Sequence, residues 1–248
     1  MIEVAAWLQA GGSNTVFTGA GISTESGIPD FRSPNVGRWS AASPVLFQDF
    51  LTRRDSREEY WRQKSESHDQ MLQASPNVAH QILVDWEQRG LLSRLVTQNI
   101  DGLHKQAGSR RLLEIHGNAM EVACTSGCGF RAESEPYVRS FLHDQTVPLC
   151  PGCEGFLKHA TISFGQSLLA TDIETAVRWA ETSNVFLALG SSLLVTPAAD
   201  LPRLAKANGA QLVIINREPT PLDDLADLVI HAELGFALSS IDDVLAAS

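Results

Sequence analysis

Asn14-Thr15-Val16-Phe17-Thr18-Gly19-Ala20-Gly21-Ile22-Ser23-Thr24 is a β-prone run that ends on two glycines and opens a helix. Glycines at a strand–helix junction let backbone N–H groups come close to a pyrophosphate lying at the helix start. Taken alone, the pattern is equally that of a turn with no ligand. The third glycine of the dehydrogenase fingerprint is absent, and Thr24 stands in its place. No acidic residue follows about 20 residues on at the end of a second strand, which disfavours a hydride-transferring dehydrogenase.

Outward from this junction, residues 93–98, Val185–Leu189 and Gln211–Ile215 are further buried-strand runs. Ser75-Pro76 predicts an N-cap followed by proline at the first helical position, with a helix running to about Arg89 and stopping at Gly90. Another helix is expected from about Ala198, closed by Gly209. Strands alternating with helices predict an α/β fold, a Rossmann-like parallel sheet with helices on both faces. Two stretches break the rhythm. Residues 47–73 are helical, charged and long, while residues 124–153 are rich in Cys, Gly and Pro and lack a helical period. These two insertions predict a small zinc-binding and helical lobe. The chain then reads as one domain, 1–248, with a large lobe at about 1–36, 77–119 and 157–248 and a small lobe at about 37–76 and 120–156. In such sheets ligands sit at the carboxyl ends of the strands.

Composition narrows the function classes. Of 248 residues, 44% are hydrophobic and 19% charged, as in ordinary soluble globular proteins. The 19 basic residues against 29 acidic ones give a net charge of -10, which repels phosphate backbones and anionic lipid. Neither specific nucleic acid nor membrane is an expected partner, and no apolar run approaches the ~20 residues that span a bilayer. The first ten residues contain Glu3 and no basic segment, so no signal peptide is expected and the cytoplasm is the expected compartment. Thiols stay reduced there. Cys124 and Cys128 are separated by three residues, and Cys150 and Cys153 by two. Two close thiol pairs suit a tetrahedral zinc closed off by four thiolates, a structural site. Cys150-Pro151-Gly152-Cys153 alone also has the spacing of a redox pair.

The glycine turn runs on into Gly27-Ile28-Pro29-Asp30-Phe31-Arg32-Ser33. Then come Thr97-Gln98-Asn99-Ile100-Asp101-Gly102-Leu103-His104, Glu114-Ile115-His116-Gly117 and Gly190-Ser191-Ser192-Leu193. This set, in this order and with the cysteine module before its last member, resembles the sirtuin family over nearly the whole chain. The resemblance implies an NAD-dependent protein-lysine deacylase, a deacetylase by default, in which NAD is consumed. The acyl-lysine oxygen displaces nicotinamide, and the acyl group ends on ADP-ribose.

The resemblance also implies the site. His116 would be the general base for a ribose hydroxyl, as suits a histidine near neutral pH, with Asn99 beside it as the second catalytic residue. Asp101 and Ile100 would hold nicotinamide, and Asn99 and Gln98 would contact ribose or a bound water. Gly19, Ala20, Gly21 and Thr24 belong to the cofactor turn. Phe31 would cover the reactive carbon, and Arg32 would pair with phosphate or with the loop above it. Gly190, Ser191 and Ser192 match a phosphate- and ribose-binding turn, Asn216 the adenosine-ribose contact, and Glu233 with Leu234 the adenine end. Ile162, Phe164 and Gly165 would bind the acyl-lysine segment, which can add as a strand. Cys124, Cys128, Cys150 and Cys153 are the family's zinc ligands, the first pair one residue wider than usual.

The chain departs from the family where Arg-Pro and Phe-Gly-Glu usually stand, which here read Lys158-His159 and Phe164-Gly165-Gln166. Relatives that take acidic acyl groups carry a Tyr and an Arg three residues apart. Tyr60-Trp61-Arg62-Gln63 places Gln63 there, with Arg62 about 100° around the helix. A neutral acyl group is therefore expected, with Tyr60 and Trp61 as packing residues. Two other readings remain: a mono-ADP-ribosyltransferase or NAD glycohydrolase on the same fold, and a non-catalytic NAD sensor.

Overall fold

Strands that carry no exposed face become the centre of a covered sheet. β1 (Asn14–Thr18) and β7 (Val185–Leu189) are buried at every position. The computed structural model describes residues 1–30 and 43–247. Among these, β1 pairs in parallel with β2 (Arg94–Thr97), which pairs with β3 (Leu112–Glu114). On its other side β1 pairs with β7, followed by β8 (Gln211–Ile215) and β9 (Leu228–Ile230). The order is β3-β2-β1-β7-β8-β9, the expected parallel sheet, and it reverses direction between β1 and β7. Such a switch point opens a crevice at the strand ends.

Alternate side chains of each strand enter two cores. Val16, Leu95, Leu187 and Val213 pack with α1 (Ile2–Gln9), α5 (Val78–Gln88) and α10 (Leu234–Ala246) through Leu8, Trp86 and Ile241. Phe17, Val96, Phe186 and Ile214 pack with α8 (Ala170–Glu181) and α9 (Leu201–Ala207) through Ala180 and Leu201.

A second sheet is antiparallel. It contains β4 (Gly117–Cys124) between β5 (Arg131–Glu133) and β6 (Leu157–Thr161). The helical insertion is three helices, α2 (Phe47–Thr52), α3 (Arg54–Glu66) and α4 (His68–Gln73). Phe50, Tyr60 and Trp61 from it form a separate core with Val122, Phe141 and Leu157. Arg62 stays outside that core, paired with Glu59 at 2.6 Å and with Glu66.

Two expectations are corrected. The α5 cap is Asn77, not Ser75: its Oδ1 accepts from Ala79 N at 3.0 Å and its Nδ2 donates to Ile22 O at 2.7 Å. The tie to the turn after β1 selects the cap, and a sequence window cannot see it. Residues 124–153 do contain a helix, α7 (Glu135–Asp144), whose inward face is Val138 and Phe141. That stripe is too short to show a period against the surrounding Gly and Pro. The remaining short helix, α6 (Leu103–Ala107), lies between β2 and β3.

At the switch point Gly21 N donates to Gly190 O at 2.8 Å. A Cβ on Gly21 would meet Gly190 Cα at 2.7 Å, and one on Gly190 would meet Ile22 N at 2.6 Å. Both obstacles are backbone, which cannot swing aside. Gly21→Ala is expected to lower unfolding free energy by about 1–3 kcal/mol, read from urea denaturation. Unchanged stability would show that the two turns can part at no cost.

Candidate active site

The carboxyl ends of the parallel strands open onto a cavity of about 840 Å³. Each wall comes from a different strand end. β1 supplies Gly19, Ala20 and Gly21; the segment after β2 supplies Gln98, Asn99 and Ile100; His116 comes from the turn between β3 and β4. Ile162, Phe164 and Gly165 follow β6, Gly190, Ser191 and Ser192 follow β7, and Asn216 follows β8. Glu233 and Leu234 close the far end. Residues more than two hundred positions apart in sequence therefore face one space.

Phe31 and Arg32 lie outside the described residues. Thr24 and Asp101 are described but do not form the cavity wall. The Thr24 hydroxyl donates to Gly21 O at 2.9 Å, inside the 3-10 helix Ala20–Ser26, so it braces the glycine turn. Asp101 is buried, with Oδ1 accepting from Leu103 N at 2.9 Å and Oδ2 from Ser23 Oγ at 2.7 Å. Ser23 Oγ in turn accepts from Asn99 Nδ2 at 3.1 Å. Ser23 is thus the bridge that orients both Asn99 and Asp101, a role its place in the motif did not reveal.

The floor is a line of buried hydroxyls. Thr97 Oγ1 accepts from Asn99 N at 3.1 Å, and Thr18 Oγ1 donates to Thr97 Oγ1 at 2.8 Å. The Thr18 proton being used, His104 must donate to Thr18 Oγ1 from Nε2, at 2.9 Å. Burial holds His104 well below the ordinary histidine pKa.

His116 is half-buried. Its Nδ1 sits 3.0 Å from Gln98 O, which can only accept, so the ring proton is on Nδ1 and Nε2 carries the lone pair. Burial lowers its pKa, and the Gln98 hydrogen bond works in the opposite direction. Gln98 is itself held by its amide donating to Ser191 Oγ at 2.8 Å. A neutral imidazole with an open nitrogen, fixed from behind, is the geometry of a general base.

At the other end of the cavity, Gln166 Oε1 accepts from Ser163 N at 3.1 Å, so the carboxamide closes this loop with a carbonyl oxygen where the family has an acid. Tyr60 and Gln63 reach this cavity from α3, and so does Lys64. A cation is therefore present one residue beyond the position that the sequence spacing pointed to.

The four cysteine sulfurs lie within 4.8 Å of one another. Cys124 Sγ is 3.4 Å from Cys153 Sγ, and Cys128 Sγ is 3.6 Å from Cys150 Sγ. These separations exceed the ~2.05 Å of a disulfide and suit thiolates placed around a shared ion at ~2.3 Å. The Ser126 N–H directed at Cys124 Sγ lowers that thiol to about 7, toward the thiolate a metal needs. The donor set fits a closed zinc site.

A family model described as the Sir2 family matches residues 19–197. This chain belongs to the Sir2 family. A Geobacillus kaustophilus protein named NAD-dependent protein deacetylase 1 is 44% identical to it over 249 residues, 99% of this chain and 98% of that protein. A Rhodopseudomonas palustris NAD-dependent protein deacetylase is 45% identical over 224 residues, 90% of this chain and 88% of its own. Among solved structures, a Sir2 with p53 peptide and NAD+ superposes with a TM-score of 0.89 at 34% identity, covering 99% of this chain and 98% of that one. Among the described residues of this Sir2 chain, no helix is long and apolar enough to cross a membrane.

Two outcomes follow from these geometries. Stripping metal from the cysteine cluster with a strong chelator is expected to lower Tm by roughly 10 °C, and metal analysis of the untreated protein should find zinc equimolar with chain. A zinc-free protein with unchanged Tm would remove the structural metal. His80 lies against His104 with ring centroids 4.7 Å apart and the rings tilted, and burial takes it from 6.5 to about 4. Above 6.5 it is neutral in both states. Below that value the unfolded chain takes up a proton that the folded one refuses, so its contribution is lost as pH falls toward 4. This amounts to about 2 kcal/mol between roughly pH 7 and pH 5, and His80→Gln should shrink the measured loss by that amount.

Proposed function

We propose that this chain is an NAD-dependent protein-lysine deacylase, by default a deacetylase, that passes the acyl group to ADP-ribose and releases nicotinamide. The observation that carries the reading is His116, neutral, with Nε2 open, in the wall shared by the glycine turns and the segment after β6. The named activities of its relatives and the peptide- and NAD-bound Sir2 structures support it.

In this reading Gly19, Ala20, Gly21, Gly190, Ser191 and Ser192 hold the pyrophosphate and ribose end of NAD, with Thr24 bracing the turn. Asn216 and Leu234 take the adenosine end. Gln98, Asn99, Ile100 and Asp101 hold the nicotinamide ribose and nicotinamide, with Asp101 acting from behind Ser23 and Asn99. Phe31 and Arg32, outside the described residues, take the covering and phosphate-pairing roles that the family resemblance implies. Bound NAD supplies an electrophilic ribose carbon with nicotinamide as leaving group. His116 takes the proton of a ribose hydroxyl at Nε2, and its lowered pKa keeps that nitrogen unprotonated near neutral pH. Ile162, Phe164 and Gly165 bind the acylated lysine of a substrate protein. Cys124, Cys128, Cys150 and Cys153 hold structural zinc. The working unit is one domain of two lobes, and we assign it to the cytoplasm, where its thiolates stay reduced.

The test is mass spectrometry of acetyl-lysine peptide with NAD, on wild type and His116→Ala, with a succinyl-lysine peptide alongside. Deacetylated peptide and O-acetyl-ADP-ribose should form in equal amounts, and the variant should lose at least about 100-fold in rate. Wild-type kcat/KM should also fall on the acid side, at a pH below the ordinary histidine value. Nicotinamide release without deacetylation would point to the transferase or glycohydrolase reading, and NAD binding without turnover to a sensor. Faster succinyl removal would overturn the neutral acyl preference.

A further inference from the structure

Lys158 is a buried cation on the outer edge of β6, where the family has arginine. β6 uses one edge to meet β4 and its flanks: Thr125 N donates to Phe156 O at 3.0 Å, and Ile162 N donates to His116 O at 2.8 Å. By the alternation of a strand, Leu157, His159 and Thr161 turn their carbonyls to the opposite edge. Among the described residues β6 has no further strand of the small sheet on that side. The chain at 148–149 meets only its start, where Leu149 bridges Phe156 and Leu157 N donates to Pro148 O at 3.1 Å; beyond that point side chains take the place of a strand. Trp61 Nε1 donates to Leu157 O at 3.1 Å, and Lys158 Nζ donates to both His159 O, at 3.2 Å, and Thr161 O. The edge is thus closed as far as Thr161, and the acyl-lysine segment begins at Ile162.

We infer that Lys158 is a positioning residue for the acyl-lysine-binding segment: its ammonium clamps Thr161 from one edge while the His116 carbonyl holds Ile162 from the other. The inference rests on the deacylase reading of the site. Chain leaving the sheet between two such clamps can depart in only one direction, so Ile162–Gly165 is presented at a fixed distance from His116. Without the ammonium, two buried carbonyls lose their donor and the outer edge opens for pairing one or two residues too early. A substrate strand would then add in the wrong register. The NAD-facing turns after β1 and β7 lie on the other sheet and are untouched by this edge.

The groups facing Lys158 are Tyr60 and Lys64 on α3 and its neighbour His159, with His68 on α4 acting on His159. Burial, and then Lys64, bring Lys158 down to about 7. Burial pushes Tyr60 up and keeps His68 and His159 below the ordinary histidine value. Near pH 7 and above, Lys158 therefore loses its charge.

The experiment is steady-state kinetics of wild type, Lys158→Met and Lys158→Arg, varying acetyl-lysine peptide and NAD separately. Lys158→Met keeps the apolar stem and should raise the peptide KM about tenfold, with the NAD KM within about twofold. Lys158→Arg keeps the donors and should stay within about threefold of wild type. The wild-type peptide KM should rise about twofold between about pH 6.5 and 8.5, because the amine left after deprotonation keeps two N–H donors but bonds the two carbonyls more weakly than the ammonium does, while Lys158→Arg stays flat. The pH comparison decides the matter even if Lys158→Met fails to fold. An unchanged peptide KM in Lys158→Met, parallel rises in both KM values, or the same pH profile in wild type and Lys158→Arg would each overturn the assignment. Absence of deacetylation by wild type would instead overturn the reading of the site.

Discussion

The two strand ends at the switch point approach so closely that only hydrogen atoms fit between the chains. Gly19 N donates to Leu189 O at 3.0 Å and Gly21 N to Gly190 O at 2.8 Å, so the turns after β1 and β7 are bonded to each other before either contacts a ligand. This contact sets where the sheet reverses direction, and the reversal leaves the crevice. From there the walls follow in order, because each parallel strand delivers its next residues to the same rim. The same closeness explains why the turn after β1 bends into a 3-10 helix and not a full α-helical entry. Its residues must clear Gly190 before turning back over the sheet.

Behind the rim, the polar residues are organised by an accounting of protons. Ser23, Asn99 and Asp101 are all nearly buried, yet each finds a donor or acceptor in the others. Thr18 and Thr97 continue the chain of bonds downward to His104. A buried hydroxyl or carboxamide left alone costs about 1–3 kcal/mol, so the group is stable only as a set. That gives the segment after β2 its rigidity. Asn99 is anchored through both its backbone N–H and its side chain, and His116 through Nδ1.

The parallel sheet was legible because its central strands are short β-prone runs buried on both faces, and β1, β7 and β8 fall where the runs predict. Caps and short helices were not legible to the same degree. Asn77 displaces Ser75 as the α5 cap because its amide also reaches Ile22 O, a contact made only after folding. The α7 helix was hidden because Val138 and Phe141 are the whole of its buried face. The site residues were legible through the order of short motifs, and the structure brings most of them to one cavity. What the motifs could not say was depth. Thr24 and Asp101 read like wall residues, but their bonds to Gly21 and Ser23 put them one layer behind.

The departures from the family pattern become intelligible once hydrogen-bond donors and acceptors are compared instead of residue names. Gln166 keeps the acceptor that Ser163 N requires and gives up only the charge. Lys158 keeps a multiple donor for the β6 carbonyls and gives up the planar fork, which parallel recognition of a carboxylate would need but two successive carbonyls do not. A substitution that preserves the count of bonds at a buried edge preserves the backbone path. The cost is shifted to protonation, since a buried ammonium can discharge near neutral pH where a guanidinium cannot. The outer edge of β6 is therefore held by a group whose charge depends on conditions, while the turns after β1 and β7 are held by main-chain bonds that do not.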